Sequence, residues 1–204
     1  ARKDKNKNEA KDSSAKINNL KTKEAERIRR GEQLTDEEKK ELRDAEMKLQ
    51  SAISRMSDKE IEEIASKDMS FITSKEVMAS LSTRQIEYLK KTDKLSDGEK
   101  DAIMAAREKP IKEAIEALGK ADENGSHKLA KQVITAIAEK ELEIISTDLL
   151  NNPTLITELT QSQFESLTKS NNLTKLQKDV LKEERLRPIK LALLDPEKNP
   201  LRSG

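Results

Sequence analysis

Apolar residues along this chain come in short bursts at helical spacing, and the bursts open on one recurring signature. An apolar residue is followed by Ser or Thr, then two residues, then Glu or Gln. It occurs at Leu34-Thr35…Glu38, Met56-Ser57…Glu60, Ile72-Thr73…Glu76 and Leu81-Ser82…Gln85, and again at Leu95-Ser96…Glu99, Leu159-Thr160…Gln163 and Leu173-Thr174…Gln177. This is the capping box: the hydroxyl accepts from the backbone N–H three residues on, and the Glu or Gln reaches back to the cap N–H. Four instances add a hydrophobic staple, pairing Met56 with Ile61, Ile72 with Val77, Leu81 with Ile86, and Leu159 with Phe164. The pattern predicts helices over 36–54, 58–67, 74–79, 83–91 and 97–118, then over 127–146, 153–158, 161–169 and 175–194. Pro110 and Pro188 fall inside the last helix of each set and predict a kink or a restart there.

The two sets of helices are also related in sequence. "LSDGEKDAIMAAREKPI", from Leu95, corresponds to "LTKLQKDVLKEERLRPI", from Leu173, at an offset of 78. Upstream, Leu81, Gln85, Glu87, Leu89 and Lys91 recur at the same offset as Leu159, Gln163, Glu165, Leu167 and Lys169. "AISRMSDKEIEEI", from Ala52, matches "VITAIAEKELEII", from Val133, at an offset of 81. Isolated helices of six to ten residues are not stable in water, so these must pack on one another in the manner of a repeat array. The expected fold class is all-α, with tandem duplicated multi-helix units forming a solenoid-like array or a pair of bundles. The expected organisation is a basic, partly disordered N-terminal arm over 1–33, a leading helix and first helical unit over 34–118, a linker over 119–127, and a second unit with a C-terminal tail over 128–204.

Composition sharpens this picture. Of the 204 residues, 39% are charged and 33% apolar, and five Gly and five Pro are too few for a turn-rich β protein. Lys, Glu, Leu, Ala and Ile dominate, all compatible with helix. No apolar run reaches the roughly 20 residues that span a bilayer. The chain opens on Ala1 rather than Met, which fits a processed product or a piece of a longer protein. Residues 1–30 carry eleven Lys or Arg against five Asp or Glu, a net +6, so the other residues sum to −5 within a chain of net +1. In that arm Lys3, Lys5, Lys7, Lys21, Lys23, Arg27, Arg29 and Arg30 are the candidate contacts to a polyanion, since basic arms bind nucleic acid through counterion release. Five carboxylates interrupt the arm and it holds no aromatic for base stacking.

Catalytic chemistry finds little support. Cysteine is absent and His127 is the single histidine, which excludes a thiol nucleophile, a thiolate metal site and any arrangement of two histidines. "DENGSHKLAKQV", from Asp122, has its glycine too early for a calcium loop and Val133 where the bidentate Glu is required. The clustered carboxylates Glu60, Glu62 and Glu63, or Glu139, Glu141 and Glu143, alternate with lysines as solvated helix faces do. Glycine-rich phosphate loops and G-x-S-x-G are absent. No catalytic, cofactor or metal residue is assigned, and a non-enzyme is expected.

The cadence "L-S/T-x-x-Q-hydrophobic-x-x-L … L-S/T-x-x-Q/E-K-D-x-hydrophobic" over residues 52–118 and 133–194 resembles capped short-helix repeats in large uncharacterised proteins of candidate-phyla bacteria. Some of those are similar to membrane components of conjugation and type IV secretion systems. The resemblance implies a cytoplasmic-face or linker region of a larger assembly protein and no catalytic residue. The expected function is a non-enzymatic helical interaction or scaffold module that captures protein partners or self-associates, in the cytoplasm or on the cytoplasmic face of an assembly. The alternative is a nucleic-acid-associated protein that uses the basic arm.

Overall fold

The computed structural model describes residues 2–195 and 197, without the side chains of Arg2 and Lys3. Among the described residues there are thirteen α-helices and no strand, so the protein is all-α. The helices are α1 (Arg2–Arg29), α2 (Asp36–Ser54), α3 (Asp58–Lys67), α4 (Met69–Ile72), α5 (Lys75–Ser80), α6 (Thr83–Lys91), α7 (Asp97–Leu118), α8 (Ser126–Thr135), α9 (Glu139–Leu142), α10 (Thr147–Leu150), α11 (Pro153–Glu158), α12 (Gln161–Lys169) and α13 (Lys175–Leu194). The chain divides into two compact units, Ala1–Arg107 and Glu108–Gly204. The division falls inside α7 rather than in the expected linker at 119–127.

In the first unit α1 lies along α2, α5 packs on both, and α3 packs on α4 and α6. Within the basic, partly disordered arm expected over 1–33, Arg2–Arg29 form α1, the longest helix among the described residues. Its buried positions are Ala10, Ser13, Ser14, Ile17 and Leu20, a spacing of three and four residues that makes one helical face. Two of the five are serines, so the apolar period is broken in the sequence although the face is continuous. Ser14 Oγ donates to Glu76 Oε1 at 2.6 Å, which relieves the cost of burying the hydroxyl. α1 stops at Gly31, whose φ of 75° is left-handed. The Gly31 N–H reaches Ile28 O at 3.0 Å and the Glu32 N–H reaches Arg27 O at 2.7 Å, the two bonds of a Schellman stop.

The second unit is built on Ile111, Ala114, Ala130, Ile134, Leu142, Leu149, Leu155, Ile156 and Leu167, among others. Its first helical piece is residues 108–118 of α7. The single helix expected over 127–146 is two helices, α8 and α9, and α10 follows it as a further, unanticipated one. The break was hidden because Ala138, the N-cap of α9, has extended backbone but no side chain that can cap. In the first unit Ser57 stands at the corresponding place and its hydroxyl accepts from the Glu60 N–H at 3.2 Å. α4, too short to show a period, was not anticipated either.

Five capping boxes form with both bonds, at Thr35, Ser82, Ser96, Thr160 and Thr174. The box expected at Thr73 does not form. Thr73 Oγ1 donates back to Met69 O at 2.7 Å, and Ser74 is the N-cap of α5 without a side-chain cap bond. α7 and α13 continue through Pro110 and Pro188, so neither proline restarts the helix.

Candidate interaction surfaces

The cations expected to meet a polyanion now have a helical frame. Lys5, Lys21, Lys23 and Arg29 are exposed on α1, Arg30 is exposed in the turn just after it, Lys7 is half-buried, and the Lys3 side chain lies outside the described residues. Arg27 is turned inward and forms an ion pair with Glu38 of α2, which Lys23 approaches at 3.9 Å. The Arg27 guanidinium, helped by the Thr35 N–H, lowers the Glu38 pKa to about 2. Lys11 binds Asp68, the N-cap of α4, at 3.0 Å and holds that carboxyl below its ordinary value. Glu9 accepts from Arg55 at 2.9 Å. One cleft beside α1, of about 410 Å³, is lined by Lys5, Lys16 and Lys48 but equally by Glu9, Asp12 and Asp44. The basic residues of α1 are thus interleaved with carboxylates and partly spent on fastening α1 to its own unit.

Two buried glutamines carry more than the capping role their sequence position suggests. Gln163 Oε1 accepts from the Thr160 N–H at 2.8 Å, while its Nε2 donates to Ile134 O at 3.0 Å and Ile137 O at 2.9 Å. Those carbonyls belong to the end of α8 and the turn after it, so one side chain starts α12 and terminates α8. Gln85 does the same in the first unit, accepting from Ser82 N–H at 2.9 Å and donating to Ile53 O at 3.1 Å. The sequence carried the signal: these boxes hold Gln, which both accepts and donates, whereas Thr35, Ser57 and Ser96 are followed by Glu.

Arg107 and Arg185, 78 residues apart, act alike. Arg107 Nη1 donates to Met78 O and to Leu81 O. Arg185 Nη1 donates to Ile156 O at 2.7 Å and Leu159 O at 2.6 Å and its guanidinium stands 5.1 Å from the centre of the Phe164 ring. Each closes the C-terminus of the short helix in front of it, α5 or α11, where unsatisfied carbonyls attract a cation.

Single titratable groups are likewise absorbed by the fold. His127 Nε2 lies 2.7 Å from Lys120 O and its backbone N–H donates to Asp122 Oδ1 at 3.1 Å, so the residue closes the turn before α8. Glu62 bonds the Thr92 hydroxyl and raises the Tyr88 phenol above its ordinary value. Among the described residues no group of three His, Asp or Glu side chains is arranged to hold a metal, and no helix is long and apolar enough to cross a membrane.

One surface stands apart. In the last turns of α13, Leu186, Ile189, Leu191 and Leu194 are 47%, 58%, 60% and 65% exposed. The run "RLRPIKLALL" that carries them falls in the helix expected over 175–194. Against known family models, curated proteins and solved structures the chain gives no match.

Proposed function

We propose that this chain is a non-enzymatic helical interaction module, two related helical units that act as a scaffold within a larger assembly. The observation that carries this reading is the exposed apolar segment at 186–194. Soluble proteins seldom leave five large aliphatic side chains exposed within nine residues unless another surface covers them. The module reading is also supported by what the polar side chains do. Gln85, Gln163, Arg107, Arg185 and His127 each bond to backbone groups that end or begin a helix, which leaves them committed to structure. The correspondences at an offset of 78 extend from sequence to these hydrogen bonds and favour a duplicated origin for the two units.

The competing reading is nucleic-acid binding through α1. Deleting residues 1–30 is a poor test, because it would strip Ile17 and Leu20 from the core. Replacing the exposed Lys5, Lys21, Arg29 and Arg30 by Gln keeps the buried face intact. The module reading expects weak binding to duplex DNA and to RNA, lost between about 50 and 200 mM salt, and protein capture unchanged by the four substitutions. Tight binding at the higher salt that the substitutions abolish would replace the module reading with the nucleic-acid one.

A further inference from the structure

Each unit is begun by a helix that lies across its first core layer. In the second unit this is residues 108–118 of α7: Ile111 and Ala114 are 6% and 5% exposed and belong to the core cluster with Ala130 and Ile134. The Glu108 carboxylate accepts from the N–H of Ser146, the N-cap of α10, at 2.7 Å. In the first unit the leading helix is α1, which packs on α2. Ala10 and Ile17 are buried, as are Ala45, Leu49 and Ala52 of α2, and Lys11 reaches Asp68, which lies 78 residues before Ser146 and caps α4.

The next position in this series is occupied by residues 186–194. At the offset of 78, Ile189 corresponds to Ile111 and Ala192 to Ala114, and the shared "R-x-x-P-I" fixes the register. Yet Ile189 is 58% exposed where Ile111 is 6%, and Ala192 is exposed where Ala114 is buried. The half-helix has the residues of a leading helix but leaves Ile189 and Ala192 exposed. Leu186 stands where Glu108 stands, so it brings no carboxylate to a neighbouring N-cap. It therefore suits a unit whose short helix caps itself, as Asp68 does for α4, with its Oδ1 accepting from the Phe71 N–H at 3.3 Å.

We propose that residues 186–194 are a docking helix for a further helical unit, built like residues 119–194 and carried by a partner protein, whose first core layer the half-helix completes. The proposal rests on the module reading and names the partner of its exposed surface. Ile189 and Ala192 enter the partner's seat as Ile111 and Ala114 enter the seat formed by Ala130 and Ile134.

The seat can be supplied from this chain itself. Repeating residues 118–195 directly after Asp195, in place of 196–204 and with Ser146→Asp in the added copy so that its short helix caps itself as Asp68 caps α4, presents α13 with a unit of known build in the register of α7. Hydrogen exchange of the amides of 186–194 is then compared with that in the original chain. The proposal expects exchange slower by about tenfold or more in the extended chain, reversed there by Ile189→Asp, and no change in the melting of the original chain with the same substitution. An added segment that does not fold, or amides that exchange equally fast in both chains, overturns it. So does concentration-dependent dimerisation of the original chain, or its binding to phosphatidylcholine–phosphatidylserine vesicles, if Ile189→Asp abolishes either. Protein capture that survives Ile189→Asp would leave the module reading standing and remove only the docking helix.

Discussion

The two units solve one packing problem with leading helices of opposite character. α1 meets its unit with Ala10, Ile17 and Leu20 but also with Ser13 and Ser14, and with Lys11 and Arg27 paired to carboxylates. Residues 108–118 meet theirs with Ile111 and Ala114, half-buried Ile115, Ala117 and Leu118, and a single carboxylate aimed at a backbone N–H. The short helices behind them hardly differ: α6 and α12 begin with the same box, and Gln85 and Gln163 make the same crossing bonds. What is held constant is the satisfaction of backbone groups at helix ends. With helices of four to ten residues, such ends are a large share of the backbone, and each carries orphan donors or acceptors. The leading helix is free to vary because its contribution is mostly side-chain burial, which serine bonded to glutamate can partly replace.

The sharpest way to break this comparison is to remove burial from the polar leading helix. Ile17 is fully buried. Ile17→Ala is expected to destabilise the first unit by about 2–5 kcal/mol, the usual range for a truncated core isoleucine. Ile111→Ala in the second unit falls in the same range. Urea unfolding of both variants measures it. A loss near zero for Ile17 with the expected loss for Ile111 would mean α1 is not a core helix in solution.

The buried glutamines come next. Gln163→Glu and Gln85→Glu keep the shape and the accepting oxygen but remove the donor, and place a carboxylate against Ile134 O or Ile53 O. Each is expected to cost about 3 kcal/mol or more, since a buried acceptor is left opposite an acceptor and one of them is charged. The two losses should be alike, and Gln163→Glu somewhat the larger because Gln163 serves more carbonyls. Chemical denaturation at neutral pH decides it. A variant as stable as the parent would show that the Nε2 bonds do not form.

The capping boxes shared by both units should respond more weakly. Ser82→Ala and Thr160→Ala are each expected to cost about 0.5–2 kcal/mol, the typical loss of an N-cap. Thr73→Ala, at a site that reads as a box in sequence but makes none, should cost less than either. Equal losses at all three positions in denaturant melts would remove the distinction.

These contrasts show which parts of the fold could be read from residues alone. The bounds of α2, α3, α6, α7, α11, α12 and α13 were legible because a cap or a proline marks the start and an apolar face fills the length. α1 was not, because Ser13 and Ser14 occupy apolar places and their partner Glu76 is 62 residues from Ser14. The break in 127–146 was not, because Ala138 starts α9 by backbone geometry alone. The interaction surface was half legible. "RLRPIKLALL" announces an apolar helix end, but only the folded second unit distinguishes a seated half-helix at 108–118 from an exposed one at 186–194.

The smallest expected effect concerns pH and separates the units by charge. Glu38 has its pKa lowered from an ordinary 4.5 to about 2, chiefly by its bond to Arg27 and then by the Thr35 N–H. Asp68 is lowered as well, first by Lys11. A carboxyl whose folded pKa lies below its unfolded value stabilises the fold above the unfolded value, and that contribution is lost as pH falls through the folded one. For Glu38 the loss therefore runs from about pH 4.5 down to about 2. Both groups join α1 to the rest of the first unit, so acid should loosen α1 first. The contacts of residues 108–118 with their unit are largely apolar and include no ion pair to another helix among the described residues. The groups are near the surface, so the effect should be modest and shrink at high salt. Amide exchange along α1 and along 108–118, compared at pH 5 and about 2.5, reads the difference. Once the intrinsic pH dependence of exchange is removed, protection of α1 should fall more than that of 108–118. Arg27→Gln should weaken α1 at pH 5 and shrink its further loss in acid. Equal protection losses in the two leading helices would mean that the ion pairs of α1 add nothing to the seat it shares with α2.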